Sequence, residues 1–185
     1  MNAIIDISNV IIQTDRLILR PWQQTDLADL YEYARVDGVG QMAGWLPHEN
    51  IEKSKMILNM FIDGKKTFAI ELEGKVIGSL GIERYNESEH PDLDTLRGRE
   101  IGYVLSKDYW GRGLMPEAVR AVIKYSFKEL KLDFVMCAHF VWNTQSAKVI
   151  EKCGFQYIST CEHETRYETK ETTREYILYN PSQKA

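Results

Sequence analysis

The chain has 185 residues, a length that suits one domain and can bury most of its apolar surface. Hydrophobic residues make up 44% and charged residues 27%, which is globular rather than disordered composition. The net charge of -4, with no basic stripe, argues against a nucleic-acid partner and is compatible with a cationic one.

Residues 1–10 read as a short N-terminal extension whose order the sequence leaves open. They lack the basic-then-apolar layout of a signal peptide, and no apolar run in the chain reaches membrane length. Across residues 12–22, Leu17 and Leu19 alternate with Arg16, Ile18 and Arg20, which predicts a strand ended by Pro21. Thr25 and Asp26 open a helix with Leu27, Leu30, Tyr31 and Ala34 on one face. Three glycines, a tryptophan and a proline make residues 37–47 a loop. A second helix runs over residues 49–63 and Gly64 stops it. Residues 67–72 and 75–85 are two strands joined at Glu73-Gly74, a hairpin signal. Gly78 and Gly81 inside the second of them predict a bulge or a close backbone approach. Residues 86–98 are polar and contain Pro91, and read as a loop.

A strand at residues 100–105 leads into Tyr109-Trp110-Gly111-Arg112-Gly113-Leu114-Met115-Pro116-Glu117-Ala118. Behind it Met115, Val119, Val122, Ile123, Phe127 and Leu130 recur at helical spacing. Pro116 suits a first helical turn, where a missing N–H costs nothing. Strand, glycine turn and helix together make an anion seat, because the first-turn amides and the helix dipole point at whatever the glycines admit. A P-loop would need G-x-x-x-x-G-K-S/T, which is absent. A dinucleotide fingerprint would need a third glycine where Pro116 stands.

The stretch resembles the coenzyme A loop of the GNAT superfamily of N-acetyltransferases. The variant is Trp-Gly-x-Gly-x-x-x-Glu-Ala, of the branch that contains ribosomal-protein N-terminal acetyltransferases. Trp110 replaces the usual Gln or Arg, and Met115 stands where Gly or Ala is usual. Two further segments resemble the same branch. One is the opening Thr14-Asp15-Arg16-Leu17-Ile18-Leu19-Arg20. The other runs from Asn143 through Ser146 to Glu151-Lys152-Cys153-Gly154-Phe155, where Asn143 can cap a short helix and Gly154 can end it. Residues 133–140 read as a buried strand before that helix, and residues 156–164 and 172–180 as two closing strands.

The resemblance implies an α+β fold, a mixed and mostly antiparallel sheet of about seven strands flanked by helices, in one domain spanning residues 1–185. Two parallel central strands, residues 100–105 and 134–140, are expected to splay. It implies acetyl-CoA as donor, with the pantetheine arm beside Tyr103, Val104 and Leu105 and the pyrophosphate on Trp110, Gly111, Arg112, Gly113, Leu114 and Met115. Asn143 and Ser146 would flank the same channel. No metal is implied.

The chemistry needs a base, because an acceptor amine is protonated near neutrality (lysine pKa about 10.4) and cannot attack in that state. Glu100, at the start of the central strand, is the first candidate, with Glu83 and Glu162 behind it. Substitution of Glu100 by Gln is expected to lower turnover most at low pH. Many GNAT enzymes place an acidic tyrosine where this chain has Ile150; the branch instead offers the serine of Asn-x-x-Ser, here Ser146. Trp45 and His48 are candidates for the acceptor wall. Cys137 and His139 share one face of a strand and form the only nucleophile–base pair worth weighing, against a core role. The three cysteines have no metal spacing and suit a reduced, cytoplasmic protein. The acceptor is a protein N-terminus or a small amine, and the assembly a monomer or homodimer with no membrane partner. The competing reading is a non-catalytic acyl-CoA-binding module.

Overall fold

In this computed structural model, which describes residues 1–183, eight strands form one sheet in the order β1-β2-β3-β4-β5-β6-β8-β7. In chain order the strands and the α-helices begin with β1 (Ile12–Gln13), β2 (Ile18–Pro21), α1 (Leu27–Ala34), α2 (Ile51–Gly64), β3 (Thr67–Leu72) and β4 (Lys75–Glu83). Then follow β5 (Gly98–Leu105), α3 (Leu114–Lys128), β6 (Phe134–Phe140), α4 (Thr144–Lys152), β7 (Gln156–Glu164) and β8 (Lys170–Tyr179). Every neighbouring pair is antiparallel except β5–β6, so the fold is the mixed α+β sheet that the GNAT resemblance implies. Among the described residues no helix is long and apolar enough to cross a membrane.

The eighth strand arises because the first predicted strand is two. Thr14 N–H donates to the Leu17 carbonyl (2.9 Å), closing a turn that folds Ile12 and Gln13 back onto Leu19 and Ile18. Residues 1–10 are not a loose extension. Ala3 and Ile7 are buried in the main core, and the Arg99 guanidinium donates to the Ala3 carbonyl (2.7 Å from Nε). The helix ends also differ from the sequence reading. The Asp26 carboxylate accepts no cap hydrogen bond from its own helix; it accepts from Gln23 N–H (2.8 Å) and holds the Arg20 guanidinium (2.8 and 2.9 Å). Asn50 caps α2, and Lys65, not Gly64, takes the left-handed position that ends it (φ 51°). The Lys65 carbonyl is then engaged by Ile7 N–H at 2.9 Å, so the N-terminal segment fixes that turn.

Strand alternation sorts side chains onto two faces. Phe68, Ile70, Leu80 and Ile101 go to the core covered by α3 and α4. Ala69 and Val76 go to the core covered by α1 and α2, with Leu30, Tyr33 and Leu58. The predicted stripe of α3 holds: Met115, Val119, Val122 and Ile123 are buried, and Phe127 and Leu130 half-buried. Each large aliphatic or aromatic side chain fully buried here contributes about 1.5–3 kcal/mol.

The hairpin turns at Glu73 and Gly74, both with positive φ (51° and 82°), the backbone that a two-residue right-twisted turn needs. The β4 bulge lies beside Gly78, where the register steps from Ile70↔Gly78 to Glu71↔Val76. A Cβ at Gly78 would lie 2.4 Å from the Val104 carbonyl oxygen, so β4 and β5 approach closely only because this residue has none. Gly78→Ala should destabilise the fold by about 1–3 kcal/mol, read as a lowered denaturant midpoint. An unchanged midpoint would show that these strands separate freely.

Candidate active site

The two parallel strands stop pairing almost at once. Register links only Gly98↔Phe134, Arg99↔Val135 and Glu100↔Met136, although β5 runs on to Leu105 and β6 to Phe140. Ser106 N–H donates to the Ile77 carbonyl (2.7 Å), and this fixes the alternation along β5. Glu100, Gly102 and Val104 bond toward β4, so the backbone groups of Ile101, Tyr103 and Leu105 turn into the gap that β6 leaves. The gap opens into a cavity of about 870 Å³ that Glu100, Tyr103, Trp110, Gly113, Ser146 and Glu175 help to line.

At one end of the cavity is the glycine turn. Gly111 and Gly113 have φ of 75° and 74°, a region that favours glycine, and a Cβ on Gly111 would meet nothing within 4 Å. Gly113 is the N-cap of α3 and has no side chain to cap it. Among the described residues, the amides of Gly111, Arg112, Gly113, Leu114 and Met115 have no protein acceptor. Unpaired amides at a helix N-terminus form an anion site. The Met115 side chain is 5% exposed within the main core, so the departure from Gly or Ala turns inward and leaves its amide free. Trp110 Nε1 donates to the Leu105 carbonyl (2.8 Å), capping the end of the opened strand edge.

The turn is braced from behind by the connection between β1 and β2. Glu117 accepts from Thr14 Oγ1 (2.6 Å), Arg16 N (2.9 Å) and Arg16 Nε (2.7 Å), while Arg16 Nη1 donates to the Arg112 carbonyl (3.0 Å). Two motifs a hundred residues apart in sequence are thus one structural unit.

In the middle of the gap Tyr103 and Ser146 meet. The Tyr103 hydroxyl lies 2.8 Å from Ser146 Oγ. Burial raises its phenol well above the usual tyrosine range, with the nearby Cys137 thiol adding to the effect, so it stays protonated. Ser146 is held by its helix: Asn143 Oδ1 caps the Ser146 N–H (3.0 Å), and Asn143 Nδ2 donates to the Met42 carbonyl (3.1 Å). Ile150, where the resemblance puts a tyrosine, is 1% exposed in the core. The sequence reading took Tyr103 for its backbone alone. Its spacing from Ser146 carries no signal, because only the sheet and α4 bring the two together.

At the far end stands Glu100, half-buried. Burial, then the carboxylates of Glu175, Glu83 and Glu89, push its carboxyl up to about 7. Glu83 is opposite Glu100 on β4 and is paired with Lys66. Glu162 is exposed at the cavity wall and accepts from Thr172 Oγ1 (2.9 Å). Glu175, which the sequence did not single out, is the strongest charge acting on Glu100.

Other candidates go elsewhere. His48 Nδ1 lies 2.7 Å from Ser54 Oγ and its ring packs on Trp45, and neither borders the cavity; Val39, Met42 and Ala43 do. His139 has Nδ1 at 2.8 Å from the Phe140 carbonyl and Nε2 at 3.1 Å from the Tyr176 hydroxyl, so both ring nitrogens are engaged away from Cys137. Burial pushes the Cys137 thiol far up, which removes it as a nucleophile near neutrality.

Comparison with known proteins agrees with this geometry. The sequence profile of the acetyltransferase (GNAT) domain family matches residues 16–156. The uncharacterized N-acetyltransferase YoaA of Bacillus subtilis is 30% identical over 153 residues, covering 79% of this chain and 82% of that protein. The crystal structure of a GNAT-family acetyltransferase from Bacillus anthracis superposes with a TM-score of 0.79 at 26% identity, covering 92% of this chain and 99% of that one. The ribosomal-protein-S5-alanine acetyltransferase from Vibrio fischeri shares the fold, with a TM-score of 0.73 at 21% identity over 96% of this chain and all of that one (100%). The profile runs from the brace at Arg16 to the first residue of β7, taking in the glycine turn, the strand gap and α4, and the protein belongs to the acetyltransferase (GNAT) domain family and is an acetyltransferase.

Proposed function

We propose that the chain moves an acetyl group from acetyl-CoA to a primary amine, by direct attack while both occupy the cleft. The observation that carries this reading is the continuous path from the unpaired amides of residues 111–115, along the opened edge of β5, to Glu100. The residues present fit the donor. Five free amides and two open glycines suit a pyrophosphate, and the unpaired backbone of Tyr103 with the free N–H of Leu105 suits an amide-bearing arm. Acetyl-CoA supplies a thioester carbonyl and a sulfur leaving group.

The chain's own residues do the rest. Glu100 takes the proton that blocks attack by the acceptor ammonium. Backbone N–H groups of β5 that face the gap stabilise the charge that develops on the carbonyl oxygen. The Ser146 hydroxyl delivers a proton on the sulfur side, with the Tyr103 phenol hydrogen-bonded behind it. Asn143 fixes Ser146 by capping α4 and tying it to the loop at Met42. The acceptor is a protein N-terminus, which the Asn-x-x-Ser and Trp-Gly-x-Gly motifs favour, or a small amine. The three free thiols suit a reducing compartment such as the cytoplasm.

Release of CoA thiol with a panel of primary amines tests this reading, and its absence with every amine would contradict it. The raised Glu100 carboxyl sets the pH dependence. A base acts only when ionised, so its contribution is present above about 7 and lost below it. Glu100→Gln should therefore cost most above that pH, the reverse of what an ordinary carboxyl would give; a parallel pH profile at reduced height would remove Glu100 as the base. Tyr103→Phe and Ser146→Ala should each lower kcat by about 10–100-fold with little change in acetyl-CoA affinity. The double variant should be no worse than the poorer single one, because the two hydroxyls share one proton path. Multiplying losses would show that they act separately.

A further inference from the structure

The loop between β4 and β5 brings a second set of acceptor atoms to the cleft. It is pinned by Tyr85 and Leu93, which are buried against Phe134, Met136 and Ile177. Glu89 and His90 project from it toward Glu175 of β8. One side-chain atom from each of Glu89, His90 and Glu175 lies within 4.8 Å of the others. His90 is 9% exposed, yet its Nε2 has no hydrogen-bond partner among the described residues and faces Glu175 Oε2 at 3.5 Å. The three residues border both the main cavity and an adjoining one of about 370 Å³, which Asp92 also borders.

The charge here is uncompensated. Glu83 has Lys66, but among the described residues no lysine or arginine pairs with Glu89, Glu100 or Glu175. Arg84 stands on the same cavity wall, but the charges that act on Glu100 are all carboxylates. Two carboxylates and, with the ring proton on Nδ1, the His90 Nε2 offer three acceptors within 4.8 Å of one another, and an alkylammonium carries three N–H donors. The position is distinct from Glu100. Glu175 lies on β8, two strands across from β5, so the backbones are separated by roughly 10 Å.

We propose that Glu89, His90 and Glu175 hold the distal ammonium of a diamine acceptor whose other amine is acetylated beside Glu100. This rests on the acetyl-transfer reading above and narrows it, from primary amines in general to molecules with two amines joined by a short aliphatic chain. The methylenes would lie along the cavity between the two positions. The distal charge stays protonated, since nothing there needs it to react, and it neutralises carboxylates that have no lysine or arginine partner among the described residues, Glu175 accepting only from the Ser159 hydroxyl.

The test compares cadaverine with pentylamine, which differ only in the second amine, at pH about 9, where Glu100 is ionised in every variant and an alkylamine is still mostly charged. Wild type should show a kcat/KM at least tenfold higher for cadaverine, a difference of about 1.4 kcal/mol. Glu89→Gln and Glu175→Gln should each remove most of that preference, read as the ratio of kcat/KM for the two amines within each variant. Calorimetric binding of cadaverine should weaken in parallel. Equal kcat/KM for the two amines in wild type would overturn the proposal, as would a preference that survives both substitutions. Stoichiometric zinc binding dependent on His90, with no diamine preference, would also overturn it and assign the cluster to a metal. Thiol release with neither amine, but selective binding of cadaverine lost in both variants, would keep the cation site and reject acetyl transfer.

Discussion

A sheet interior does not tolerate unpaired backbone, and this sheet leaves a stretch of it unpaired in its centre. After Glu100 and Met136 the strands β5 and β6 part, and the N–H and C=O groups of Tyr103 and Leu105 that would bond β6 have no strand to meet. One of these, the Leu105 carbonyl, is taken by the Trp110 indole. The others line a cavity and await water or a ligand with amides of its own. The rest of the site is arranged around that opening. The glycine turn stands at the C-terminal end of β5, Tyr103 and Ser146 close the middle, and Glu100 sits where pairing ends.

The opening needs rigid walls, and several local choices supply them. Gly78 lets β4 lie against β5 at a distance no side chain would allow. Arg16 and Glu117 tie the turn between β1 and β2 to the first turn of α3, so the carbonyl of Arg112 is held while its neighbouring amides stay free. Asn143 serves twice, as the cap of α4 and as a tether to the loop that carries Met42. Burial and hydrogen bonding are concentrated behind the cleft, and unsatisfied polar groups face into it. That division is what a binding site requires.

Much of the fold was legible in the sequence, because it is written in periodicity and turn chemistry. The hairpin at Glu73-Gly74, the stripe of α3, the cap at Asn143 and the glycine turn all rest on residues within a few positions of each other. The topology came from resemblance, not from pattern. What pattern missed was non-local. The turn at Thr14 splits a segment whose alternation looks continuous, and Ala3 and Ile7 are core only because Arg99 and Lys65 receive their backbone. The candidate site shows the same limit. Glycines and helix caps announce themselves, whereas Tyr103 against Ser146, or Glu175 against Glu100, exists only once strands and helices are packed. Trp45 and His48 looked suited to a wall, but the loop turns them onto each other.

In the proposed function the free amides of residues 111–115 seat the pyrophosphate of acetyl-CoA. Calorimetric titration with acetyl-CoA tests it most directly, using wild type, Gly113→Asn and Gly113→Asp, both of which place a similar side chain at the same left-handed position. Saturable binding by wild type, weaker binding by the neutral variant, and none by the folded variant with a carboxylate are expected. Equal binding by all three, or none by folded wild type, would contradict it.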